Sequence, residues 1–164
     1  MAARRTKRSM CIMELPKRKP NRILEFDYSS PNAYFVTICT TGKKKYFWDS
    51  ENQLSEYGKV VKAAIENIER HYSAVSVDHY VVMPNHVHLL LQLNTDVDGR
   101  RVAAPTVSTI INQMKGNASR QIGHSIWQKG FYDHVVRGDA DYMEIWKYIE
   151  GNPAKWKEDK LYID

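Results

Sequence analysis

The chain of 164 residues has little cysteine, no long apolar run and almost no acid near its start. Its two cysteines, Cys11 and Cys39, lie far apart, and neither belongs to a Cys-x-x-Cys pair. That excludes a disulfide-stapled scaffold and a cysteine zinc site, and it fits a reducing, cytosolic compartment. No apolar stretch approaches the ~20 residues that a membrane helix needs. The basic residues behind Met1 are followed by no apolar block, so the pattern is not that of a secretory signal. Internal repeats and low-complexity tracts are also missing. With 43% hydrophobic and 26% charged residues the composition is that of a globular protein, and one domain is expected at this length.

Charge is what stands out. Lysine and arginine number 24 against 19 acids, a net charge of +5. Arg4, Arg5, Lys7, Arg8, Lys17, Arg18, Lys19 and Arg22 face a single acid, Glu14, in the opening segment, and Lys43, Lys44 and Lys45 form a second basic knot. A basic arm and a basic loop point to a polyanion, with nucleic acid first; a solubilising tail is the blander alternative for the arm.

Residues 1–32 have no periodicity and contain Pro16, Pro20 and Pro31, so they read as a flexible basic arm. Tyr34 to Thr41 is rich in β-branched and aromatic residues and predicts a strand ended by Gly42. Leu54, Tyr57, Val61, Ala64, Ile65 and Ile68 recur at helical spacing and predict a helix over roughly 52–71. Val75–Met83 and His86–Gln92, separated by Pro84 and Asn85, predict an antiparallel hairpin. Residues 93–104 read as a loop. Pro105 opens a helix with the apolar stripe Val107, Ile110, Ile111 and Met114. Ile126–Val136 is a strand broken near Gly130. Asp139 or Asp141 caps a last helix that ends near Glu150, before Gly151 and Pro153. The order β-α-β-β-α-β-α is the ferredoxin-like, split β-α-β arrangement of the α+β class. It carries an antiparallel sheet with helices on one side and one extra C-terminal helix.

Two constellations can carry chemistry. In Pro84-Asn-His-Val-His-Leu-Leu-Leu91 the strand period of two puts His86 and His88 on one face and Val87, Leu89 and Leu91 on the other. Two imidazoles at that spacing can grip one divalent ion, or simply stand on a solvated sheet face. On the last helix Ile145, Tyr148, Ile149 and Asn152 share a face. Tyr148 can be a core aromatic and Asn152 a helix-end residue, yet with the histidines they make a coherent set. His86, His88 and the Asn152 amide oxygen would hold Mg²⁺ or Mn²⁺, with Tyr148 one turn away. A free phenol has a pKa near ~10, and a metal that offsets developing charge on a phosphate compensates for so weak a nucleophile. Tyr142 and Tyr132 are rival nucleophiles. Histidine-triad nucleotide hydrolases need a third imidazole where Leu90 stands. A zinc hydrolase would have to recruit Asp78, His79 or His134, which no spacing supports.

Tyr34-Phe-Val-Thr-Ile-Cys-Thr40, Val82-Met-Pro-Asn-His-Val-His88, Trp127-Gln-Lys-Gly-Phe-Tyr-Asp-His-Val-Val-Arg137 and Tyr148-Ile-Glu-Gly-Asn-Pro153 occur in the order seen in single-tyrosine HUH transposases of the insertion-sequence 200/605 type. The sequence most resembles the REP-associated tyrosine transposases, over about Tyr34 to Trp156. The resemblance implies a transposase domain over 33–157 with a short tail at 158–164. It also implies a bacterial or archaeal, nucleoid-associated cytoplasmic enzyme that cleaves and rejoins single-stranded DNA beside hairpins through a 5′-phosphotyrosine.

In that family reading Tyr148 is the nucleophile, His86, His88 and Asn152 hold Mg²⁺ or Mn²⁺, and His134 supports the site or touches DNA. Lys43, Lys44, Lys45, Arg100, Arg101, Lys115, Arg120 and Arg137 are candidate phosphate contacts, and Trp127 is a candidate stacking ring. The tail after Trp156 offers no swapping element, which favours a monomer over a homodimer. A hairpin-binding protein that no longer cuts is the alternative function.

Overall fold

A computed structural model describes residues 32–94 and 105–163. The basic arm, with Arg100 and Arg101, lies outside the described residues. The elements in chain order are β1 (Asn32–Cys39), β2 (Trp48–Ser50), β3 (Gln53–Leu54), α1 (Glu56–Glu66) and α2 (Ile68–His71). They continue as β4 (Val75–Met83), β5 (His86–Leu93), α3 (Val107–Ile122), β6 (Tyr132–Val135) and α4 (Gly138–Gly151), and a 3₁₀ segment follows at Pro153–Glu158.

The main sheet has the order β4-β5-β1-β6, antiparallel throughout, as the ferredoxin-like reading requires. Alternation sorts the side chains. Tyr34, Val36 and Ile38 of β1 and Val87, Leu89 and Leu91 of β5 pack with Val61, Ile65, Ile110, Ile111 and Met114 of α1 and α3. On the opposite face Ala33 and Leu90 pack with Ile145 and Ile149 of α4. Burying an isoleucine stabilises by about 1.5–3 kcal/mol, so this apolar pair is what seats α4 across the face that carries the histidines. No helix among the described residues is long and apolar enough to cross a membrane.

Five boundaries differ from expectation. The helix expected over 52–71 begins at Glu56, because Ser55 caps it by accepting the Gly58 N–H at 3.1 Å. The residues before it form the β2–β3 hairpin instead, with Asn52 at φ +60°. The same helix breaks at Asn67 into α1 and α2. Pro105 does not open α3, since Thr106 takes the cap through its hydroxyl. Gly123, at φ +93°, ends that helix in the left-handed conformation glycine accepts. Neither Asp139 nor Asp141 caps α4. Arg137 is the cap residue, and Asp141 reaches back to accept its N–H at 2.7 Å. The expected strand over 126–136 is a single bridge at Trp127 followed by β6.

Gly58 marks a close approach. A Cβ there would lie 2.2 Å from the Phe47 carbonyl oxygen, which already accepts the Ser55 N–H at 2.8 Å. Because the obstacle is backbone, Gly58→Ala is expected to destabilise by about 1–3 kcal/mol or more, read as a lower urea midpoint at unchanged slope.

Candidate metal centre and nucleophile

The two-residue turn Pro84-Asn85 presents His86 and His88 beneath α4, and both side chains are buried, at 0% and 2% exposure. Burial of imidazole demands partners, and the partners fix the tautomers. Asn85 Nδ2 donates to the carbonyls of Lys43 (3.2 Å) and Leu161 (2.9 Å). That turns its Oδ1 toward His86 Nδ1 at 2.7 Å. The His86 proton therefore sits on Nδ1, and Nε2 keeps its lone pair. The Tyr148 hydroxyl lies 3.4 Å from His88 Nε2. His88 Nδ1 shares a hydrogen bond with Thr37 Oγ1 at 2.8 Å.

The two Nε2 atoms lie 3.0 Å apart, at hydrogen-bond distance. Burial, and for His86 the nearby Lys43, pushes the pKa of both imidazoles down to about 3, so both rings are neutral at neutral pH. A third acceptor joins them. Asp159 Oδ2 lies 3.8 Å from His86 Nε2, with its side chain 2% exposed, and among the described residues it has no hydrogen-bond partner. His86, His88 and Asp159 can bring one ligand atom each within 4.8 Å of one another. The 3.0 Å spacing is that of two nitrogens at right angles on an ion with bonds of about 2.1 Å. The residues fit a divalent metal.

Tyr148 projects from α4 at 48% exposure. Its ring meets Phe35 edge-on at 5.9 Å and His88 at 5.2 Å. Burial raises its pKa and Asp159 adds to the rise, while the neighbouring Asn152 amide opposes it. Asn152 is buried one turn further on, and its Nδ2 finds no partner of proper geometry among the described residues. Tyr148 thus stands beside His88, and Asn152 stands beside Tyr148.

Of the rival tyrosines, one is committed elsewhere and the other lines the same groove as Tyr148. Tyr142 donates its hydroxyl to Asp78 Oδ2 at 2.9 Å, and burial with that partner pushes its pKa up to about 12. Tyr132 sits on β6 opposite Thr37, 55% exposed. Leu90 is fully buried against α4, so no third imidazole joins the pair. His79 stacks on Trp146 at 4.3 Å.

An open groove of about 690 Å³ runs in front of the site, lined by Thr37, His88, Lys129, Tyr132, Tyr148 and Lys160 among others. Lys43, Lys44 and Lys45 stand beside the histidine turn; Lys43 is half-buried, and Lys45 donates to the Ile163 carbonyl at 3.4 Å. Other expected contacts are placed differently. Lys115 spends its ammonium on the carbonyls of Gln128 (2.9 Å) and Gly130 (3.0 Å). Trp127 is 7% exposed, packs on Phe47 and donates to the Lys115 carbonyl, so it belongs to the core and presents no stacking surface. Arg120 is on α3, across the sheet from the histidines. His134 pairs with Asp141 at 2.9 Å near the start of α4, and Arg137 is exposed there.

Sequence reasoning missed Asn85, Thr37 and Asp159. The first two lay inside recognised motifs, where a polar residue beside a histidine strand was a usable signal. Thr37→Val removes the hydroxyl that orients His88 and is expected to weaken Mn²⁺ binding about 10-fold or more, measured by titration calorimetry.

The described "Transposase IS200 like" family model matches residues 32–152. A functionally uncharacterised protein of Haemophilus influenzae is 28% identical over 169 residues, spanning 90% of this chain and 94% of its own. The REP-associated tyrosine transposase of Escherichia coli K12 is 23% identical over 129 residues, 78% of this chain and 70% of its own. Among solved structures, a REP-associated tyrosine transposase bound to a REP hairpin superposes with a TM-score of 0.62 at 23% identity. That match covers 85% of this chain and 76% of the other. It is a likeness of fold.

Proposed function

The chain belongs to the IS200-like transposase family, and from that premise we propose that it is a metal-dependent single-stranded DNA nuclease and strand transferase that cleaves beside hairpins through a 5′-phosphotyrosine. The observation that carries the reading is the Tyr148 hydroxyl 3.4 Å from His88 Nε2 in a buried histidine pair. His86 and His88 are the metal ligands proposed, with Asn152 at the edge of the same site. When bound, the divalent ion supplies positive charge that polarises a phosphate oxygen and favours the phenolate.

The remaining steps belong to the protein. Phe35 and His88, stacked on each other at 5.3 Å, both pack against the Tyr148 ring, which restrains the line along which its oxygen meets phosphorus. The Asn152 amide lowers the phenol pKa against the burial that raises it. Tyr148 Oη bonds to the scissile phosphorus, the P–O3′ bond breaks, and the departing 3′ oxygen takes a proton. Attack of a 3′ hydroxyl on the phosphotyrosine reverses the step and reseals DNA, so no external energy source is needed. Lys129 and Lys160 flank the groove and suit a phosphate backbone, and the exposed Tyr132 ring suits base stacking. Tyr148 packs on His88 of its own chain, which supports attack in cis.

The test is a covalent-adduct assay. Protein is mixed with labelled single-stranded hairpin oligonucleotides and Mn²⁺, then run on a denaturing gel. Label is expected to migrate with the protein and to vanish with a chelator or in His86→Ala. Hairpin binding without any adduct would favour a binding protein that does not cut.

A further inference from the structure

Residues 153–163 do more than trail from α4. Leu161 accepts from Asn85 at 2.9 Å, the same side chain that orients His86. Ile163 accepts from Lys45, and the Trp156 ring lies 5.9 Å from the His86 ring with Tyr162 packed on its other side at 5.1 Å. This segment carries Asp159 into the site. One carboxylate oxygen accepts the Leu161 N–H at 2.6 Å, while Oδ2 has no donor among the described residues and faces His86 at 3.8 Å. A carboxylate this deeply buried requires a counter-charge, and its ligand atom lies with those of His86 and His88 within 4.8 Å. The exposed neighbours Glu158 and Lys160 point to solvent, so the placement of Asp159 is specific to that residue.

We propose that Asp159 is a third protein ligand of the cation held by His86 and His88, so that metal binding fastens the C-terminal segment over the site. This rests on the reading of the histidine pair as a metal centre. A carboxylate beside two imidazoles suits Mn²⁺ or Mg²⁺ better than imidazole alone, and three protein ligands leave coordination positions for phosphate oxygen.

The experiment is a Mn²⁺ titration of the full chain without DNA, followed by the electron paramagnetic resonance signal of free Mn²⁺. Asp159→Asn is expected to weaken binding at least ~10-fold, and the exposed control Glu158→Gln to leave it unchanged. Hydrogen exchange over 156–163 should slow with Mn²⁺ in the parent protein and not in Asp159→Asn. Should Asp159→Asn fail to fold, Asp159→Cys decides. Thiolate ligation predicts an ultraviolet charge-transfer band with Cd²⁺ that the parent protein lacks, and its absence overturns the proposal. If Asp159→Asn binds Mn²⁺ within twofold of the parent while His88→Ala does not bind, Asp159 is no ligand and the metal centre stands. If the parent protein takes up no Mn²⁺, both readings fall.

Discussion

Tyr148→Phe is expected to abolish the covalent adduct and to lower strand cleavage by at least ~10³-fold, while Tyr142→Phe and Tyr132→Phe keep both within about tenfold. The substitution removes one oxygen and nothing else. The ring that packs on Phe35 and His88 survives, and the residue is half-exposed, so folding should be untouched. Tyr142 is a poor rival because its hydroxyl is already given to Asp78, and the pKa of about 12 leaves it protonated. Tyr142→Phe therefore reads as the loss of one hydrogen bond, about 0.5–1.5 kcal/mol of stability, with the adduct intact. Tyr132 is the sharper control, since it lines the same groove as Tyr148. An adduct that persists in Tyr148→Phe and disappears in Tyr132→Phe would move the nucleophile from α4 to β6 and dismantle the proposed site.

How much of this was legible in the sequence follows from the range of each signal. Strand alternation is local, so Pro84-Asn-His-Val-His88 could place both histidines on one face without knowledge of the fold. Helical spacing is equally local and linked Tyr148 to Asn152. The element order sufficed for the sheet. What escaped was long-range or depended on competition between local rules. The helix over 52–71 loses its first turn because Ser55 caps better than anything upstream. Lys115 looked like a solvated cation, yet two carbonyls of a loop more than ten residues away capture it. Trp127 has the same composition signal whether it stacks on a base or fills a core, and packing against Phe47 decides. Asp159 stands beyond the last recognised motif, and only the fold of the 3₁₀ segment carries it to His86.

Metal-free protein is expected to lose stability steeply as pH falls below about 6.5, the value for an unfolded histidine. The sign follows from proton counting. His86 and His88 have folded-state pKa values lowered to about 3 by burial, with Lys43 pressing on His86 and His86 on His88, against which Asp159 acts only weakly. Between pH 3 and 6.5 the unfolded chain thus binds protons that the native state refuses. Stability is full above 6.5 and is lost on the way down. At pH 5 each histidine can cost up to about 2 kcal/mol, an effect comparable to a serious core mutation. Urea midpoints in chelator at pH 7.5 and pH 5 should therefore differ sharply for the parent protein. The difference should shrink by about half in His86→Gln and again in His88→Gln, because glutamine cannot take the proton. Equal losses in parent and variants would mean the imidazoles are hydrated and titrate normally. A hydrated pair would also release Mn²⁺ as pH drops through 6.5. The buried pair should keep binding it below that point, for as long as the fold holds, since no proton competes for Nε2 there.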